Sequence, residues 1–180
     1  MTLYLFEAQP LCMADSPVET DEGKEFNRHT WASPVRIRLR DEAGQHFQAD
    51  ELPDRICIPG TEYLAISDRL SQLLQRFQVC ESVTFIPAEI MNQRSDVLSI
   101  YRLGMSTKAW NVLHKSKSQY VSYGDLIISV TNWVIDNEML PELDVFYAYP
   151  NDWFVTDRVV DAVTDSAVTG CRLTPVVLSE

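Results

Sequence analysis

The end of this chain repeats its middle. Leu64-Ala65-Ile66-Ser67-Asp68-Arg69-Leu70 returns as Trp153-Phe154-Val155-Thr156-Asp157-Arg158-Val159. Each copy is an apolar triplet, a hydroxyl residue, Asp-Arg and an aliphatic residue. Each runs into a short helical pattern and closes on an apolar–polar run ending in proline. The closing runs are Val83-Thr84-Phe85-Ile86-Pro87 and Cys171-Arg172-Leu173-Thr174-Pro175, and the Asp-to-Pro spacing differs by one residue. The chain is thereby expected to build one strand–helix–strand unit twice, over 63–90 and 152–178. An isolated helix of about ten residues is marginal in water. Each copy must therefore lay its apolar stripe on a sheet, and two copies on one mixed sheet give a single core with pseudo-symmetry.

The devices inside the two units match. Ser67 and Thr156 stand where a helix N-cap is wanted, and Asp68 and Asp157 place negative charge in the first turn. Leu70, Leu73, Leu74 and Phe77 recur at i, i+3, i+4 and i+7, a one-sided stripe that predicts a helix ending near 77–79. Val159, Ala162, Val163 and Ala167 supply the second stripe. Gly170 falls where a left-handed helix stop favours glycine. The equivalent place near Glu81 has none.

Elsewhere the pattern predicts strands over 3–8, 83–90, 97–103 and 145–149. Val35-Arg36-Ile37-Arg38-Leu39-Arg40 alternates strictly, sending three arginines to a face that is solvated or paired with acidic neighbours. Residues 10–28 read as a polar loop and Asp41-Glu42-Ala43-Gly44 as a turn, with more loop at Pro53, Pro59 and Gly60. Gly104 is expected to end its strand, and Ser106 to cap a short helix carrying Trp110 and Leu113. The apolar, β-branched run Leu126–Ile135 reads as a central strand.

The 180 residues suit one domain, in which 1–62 supply N-terminal strands and loops and 63–180 hold the two repeats. The net charge of -11 argues against nucleic acid and anionic membrane as partners. No run of about 18 apolar residues offers a membrane span, and residues 1–7 lack the pattern of a signal peptide. Cys12, Cys57, Cys80 and Cys171 are scattered, as reduced thiols in a cytosolic protein are. His29, His46 and His114 show no ligand spacing, so neither metal nor cofactor is expected.

No phosphate loop, dinucleotide fingerprint, nucleophile elbow or His-Glu-x-x-His occurs. No residue is singled out as catalytic, though an unrecognised site using Cys57 or His114 stays open. One charge feature stands out. Between Asp136 and Asp165 lie eight acidic residues against Arg158 alone, interleaved with Trp133, Phe146, Tyr147, Tyr149 and Trp153. Acidic side chains around aromatic anchors suit an interface with a basic protein. The candidate contacts are Asp136, Glu138, Glu142, Asp144, Tyr147, Tyr149 and Asp152. The bland alternative is a solvated acidic face with the aromatics, Trp153 and Phe146 above all, in the core. No calcium loop is present.

Ile66-Ser67-Asp68-Arg69-Leu70 with Val83-Thr84-Phe85-Ile86-Pro87, and 154–159 continuing through Thr169-Gly170-Cys171-Arg172-Leu173-Thr174-Pro175-Val176, resemble the Imm11-type immunity-protein group of bacterial polymorphic toxin systems. The likeness covers 63–178. Cys80-Glu81 departs from it where a glycine-containing stop is more usual. The resemblance implies a cytoplasmic antidote that binds a cognate protein toxin stoichiometrically and has no activity of its own. An adaptor or chaperone for a secreted effector is the alternative. A homodimer joining the Arg36, Arg38, Arg40 stripe to a second copy's acidic segment is a further expectation. The fold class expected is α+β, with a mixed, mainly antiparallel sheet and a few short helices.

Overall fold

The computed structural model describes residues 2–9, 14, 18–19, 35–40, 47–58 and 63–180. In chain order come β1 (Leu3–Ala8), β2 (Val18–Glu19), β3 (Val35–Arg38), a 3-10 turn over Ala49–Glu51, β4 (Arg55–Ile56), β5 (Leu64–Ser67), α1 (Asp68–Leu74), β6 (Val83–Met91) and β7 (Val97–Ser106). A ribbon follows, β8 (Gln119–Tyr123) and β9 (Leu126–Asn132). Then come β10 (Val134–Ile135), a second 3-10 turn over Asn137–Met139, β11 (Val145–Ala148), β12 (Asp152–Thr156), α2 (Asp157–Asp165) and β13 (Cys171–Leu178). The fold is α+β, as expected. No described helix is long and apolar enough to cross a membrane. The turn expected over 41–44, Pro59, Gly60, Cys12, His29 and His46 lie outside the described residues, as does the 10–28 loop except at Ala14 and β2.

The repeat extends well beyond strand–helix–strand. One sheet runs β2-β3-β6-β7-β5-β4 and the other β10-β13-β1-β12-β11. In the first, β3 is parallel to β6, and β6–β7, β7–β5 and β5–β4 are antiparallel. In the second, β10 is parallel to β13, and β13–β1, β1–β12 and β12–β11 are antiparallel. Five strand positions thus match in order and direction, and each half places its 3-10 turn at the same point. The middle strand differs in origin. β7 follows β6, whereas β1 reaches the equivalent slot from the N-terminal side. The outer strands of each half are also linked alike. Ala14 bridges to Leu39 and donates its N–H to Cys57 O; Trp110 and Leu113 bridge to Ala148 and Ile135.

Alternation along the matched strands explains the three cores. Leu64 and Ile66, like Trp153 and Val155, face a shared core that also takes Leu70, Leu73 and Leu74 from α1 and Val159 and Val163 from α2. Ala65 and Phe154 point the other way, each into its own half's separate core. Burying one such Leu, Ile or Phe side chain contributes roughly 1.5–3 kcal/mol. Phe146 and Trp153 are core residues, as the aromatic pattern allowed.

Several expectations are corrected. Gly104 does not end β7, which runs to Ser106. A Cβ there would lie 2.7 Å from the Phe85 ring, its cross-strand partner, so glycine makes room for the aromatic. Ser106 caps no helix. Its hydroxyl donates to Lys108 O, and in place of a helix Trp110 pairs with β11 and Leu113 with β10. α1 stops at Leu74, short of 77–79, because the chain turns away to deliver Gln78 to the other half. Leu126–Ile135 is not a central strand. Its first part pairs only with β8, Trp133 breaks the run, and Val134–Ile135 joins the second sheet.

Candidate functional site

The arginines of the repeated Asp-Arg pairs lie at the seam between the halves. Ser67 N–H donates to Asp54 O and its hydroxyl to Asp54 Oδ1 at 2.6 Å. Thr156 N–H donates to Asp144 O and its hydroxyl to Asp144 Oδ1 at 2.9 Å. Each carboxylate then takes an N–H from the helix–strand loop of the opposite half. Thr169 N–H reaches Asp54 Oδ2 at 2.9 Å, and Gln78 N–H reaches Asp144 Oδ2 at 3.1 Å. Each is met by the arginine of its own repeat, Arg69 at 3.9 Å and Arg158 at 3.3 Å. Arg69 donates onward to Ser166 O past α2, and Arg158 lies over the Phe77 ring past α1. Contacts that are reciprocal in this way define an approximate two-fold.

The two copies also differ. The Ser67 hydroxyl accepts from Leu70 N–H and caps α1. Thr156 makes no such bond, so its expected capping role is corrected. α2 ends on Ala167 at φ 49, with Ala167 N–H donating to Thr164 O and Val168 N–H to Val163 O, a Schellman stop without glycine. Gly170 does other work. A Cβ there would lie 2.6 Å from both Arg55 O and Pro53 Cβ. Arg55 occupies the place of Val145. It is only 7% exposed, sits 4.2 Å over the Phe6 ring, and its Nη1 has no acceptor among the described residues. Burial lowers its pKa to about 10.

The seven candidate contacts do not form one surface. Asp144, 5% exposed, is the buried lock just described, and Tyr147, 4% exposed, donates to Pro150 O inside the shared core. Both are corrected: burial withholds them from a partner. Asp152 is half-buried and accepts from Trp133 Nε1 at 3.1 Å. Burial raises its carboxyl pKa, opposed by that hydrogen bond. Tyr149 is half-buried, its hydroxyl accepting from Ile127 N–H and donating to Ile127 O. Asp136 caps the second 3-10 turn through Glu138 N–H. Glu138 and Glu142 are exposed, as are Asp161 and Asp165 on α2, and none of the four has an ion pair among the described residues.

Asp136 also lines an open cleft of about 440 Å³ with Asn111, Leu113, His114, Lys115, Ser116 and Met139. His114 Nδ1 lies 3.3 Å from Ser116 Oγ. Burial pushes the Cys57 thiol up and the Cys171 thiol to about 11, so neither is poised as a thiolate. Among the described residues no group of three His, Cys, Asp or Glu side chains could hold a metal ion. Arg36 pairs with Glu89 at 3.1 Å, which engages part of the arginine stripe within its own sheet.

The feature that sequence reasoning missed is the ribbon. Tyr120, Val121, Tyr123, Leu126 and Ile128 are exposed large apolar residues, and Tyr123 reaches 81%. Of β8 and β9 only Ile127 is buried. The available signal was Gly124-Asp125 between two apolar alternating runs, a two-residue hairpin turn with Gly124 at φ 59. The sequence matches no protein-family model, and no curated protein is significantly similar to it.

Proposed function

We propose that this protein is an immunity protein that binds and neutralises a cognate bacterial toxin by stoichiometric contact in the cytoplasm. The observation that carries the reading is the exposed acidic set Glu138, Glu142, Asp161 and Asp165, all on the second half and all without a cation partner among the described residues. A rigid scaffold with uncompensated negative charge favours a basic protein partner and speeds its encounter. The likeness of 63–178 to the Imm11-type group supports the same reading, with the repeated residues serving as scaffold and the outer side chains as the reader.

The test is co-expression with the product of the adjacent upstream reading frame. An antidote gives a stoichiometric complex, loss of the partner's activity in that complex, and restored growth. A complex whose partner stays active would make the protein an adaptor. Turnover of a substrate by the protein alone, abolished by one polar substitution, would make it an enzyme.

A further inference from the structure

We propose that β8 is a dimerisation edge, on which a second copy of this chain lays its own β8 antiparallel about a two-fold at Val121. The two edges of the ribbon are not equivalent. Both backbone groups of Ile127 bond the Tyr149 hydroxyl, so the outer edge of β9 is held against the body of the protein. Ile127 therefore makes no ladder bonds to Ser122, its cross-strand partner. The N–H and C=O of Ser122 consequently point away from β9, towards solvent. Both register shifts place the additional residue on β9, between Ile127 and Ser129 and between Val130 and Asn132. β8 itself is regular, so Tyr120 presents its backbone groups on the same free edge.

Natural edges of this kind are usually blunted by lysine, proline, bulges or a covering element. β8 has no such guard. From Gln119 to Asn132 the ribbon carries one charge, Asp125, and no proline.

The free groups fix the register of a second copy. Pairing Tyr120 with Ser122 of the other copy, and the converse, satisfies all four exposed groups of each edge. The same register places Lys117 at the foot of one ribbon opposite Asp125 at the tip of the other, twice. Both side chains are exposed and neither has an ion pair among the described residues. Val121, Tyr123 and Leu126 then continue across the two-fold as one apolar row. Repulsion between two copies of charge -11 is screened beyond about 8 Å at physiological salt. The contact is smaller than a stable dimer interface, so the association is reversible and grows with concentration.

Sedimentation velocity on the full chain over a concentration series tests this, with amide exchange at Tyr120 and Ser122. The expected result is a monomer–dimer equilibrium in which these two amides gain protection as dimer forms. Ser122→Pro removes an N–H that the monomer's ladder does not use and abolishes the dimer. Lys117→Asp weakens it by about tenfold, and Lys117→Asp with Asp125→Lys restores it. A monomer at every concentration, a dimer indifferent to Ser122→Pro, or no recovery in the double swap would overturn the proposal. So would protection of β8 appearing only when a different protein is added.

Discussion

Ala167 holds a backbone conformation that favours glycine, at φ 49, while closing α2. Ala167→Gly relieves that strain and should stabilise the fold by about 1 kcal/mol, read as a higher midpoint in thermal or urea unfolding. Asp152 gives a test with a pH signature. Its folded pKa is raised above the ordinary 3.8 by burial, so the fold favours the protonated form. Its stabilising contribution is complete below 3.8 and is lost as pH rises through the folded value, leaving the buried charge opposing folding at pH 7. Asp152→Asn keeps an acceptor for Trp133 without the charge. Its melting temperature should exceed that of the wild type at pH 7, and the gap should close as pH falls towards 3.8. Residue-level roles were only partly legible in the sequence. Ser67 and Thr156 are the same device on paper and each donates to an aspartate, yet only the Ser67 hydroxyl also accepts from its helix, from Leu70 N–H. Gly170 was legible as a constrained glycine, and the constraint turned out to be Arg55 and Pro53 from the opposite half.

At the scale of elements, the two helix starts, their stripes and the closing strands were readable because local spacing dictates them. What spacing does not carry is the neighbour an element packs against. Leu126–Asn132 has the composition of an interior strand, and only the fold shows it paired to β8 with Leu126 and Ile128 in water. The acidic segment mixed the two kinds of role for the same reason: charge is visible in a sequence, whereas the loop N–H that buries Asp144 arrives from 66 residues away. Asp54 and Asp144 each tie a helix start to the opposite half's loop. Asp54→Ala and Asp144→Ala should each cost about 2 kcal/mol, since each leaves a hydroxyl and a loop N–H at the seam without their acceptor. Chemical denaturation of both variants tests the equivalence. A large loss in one and none in the other would show that the halves are not joined by matched locks.

At the scale of the whole molecule, duplication accounts for the scaffold. The ten matched strands, the two helices and the two locks account for one another, and the shared core is built from corresponding faces of both halves. The ribbon and the acids of the second half that have no ion pair among the described residues are what the scaffold does not need. The full extent of the duplication was hidden from the sequence because β1 fills the second half's middle slot from the N-terminal side, so no continuous stretch repeats the first half. The measurement that bears most directly on the proposed function is toxin neutralisation by a variant with Glu138, Glu142, Asp161 and Asp165 all changed to lysine. These side chains are exposed, so the fold should survive, and an unchanged circular dichroism spectrum would show it. The account predicts an association rate with the cognate toxin lowered by at least about tenfold, and growth protection lost with it. Full protection and an unchanged rate in the folded variant would contradict it.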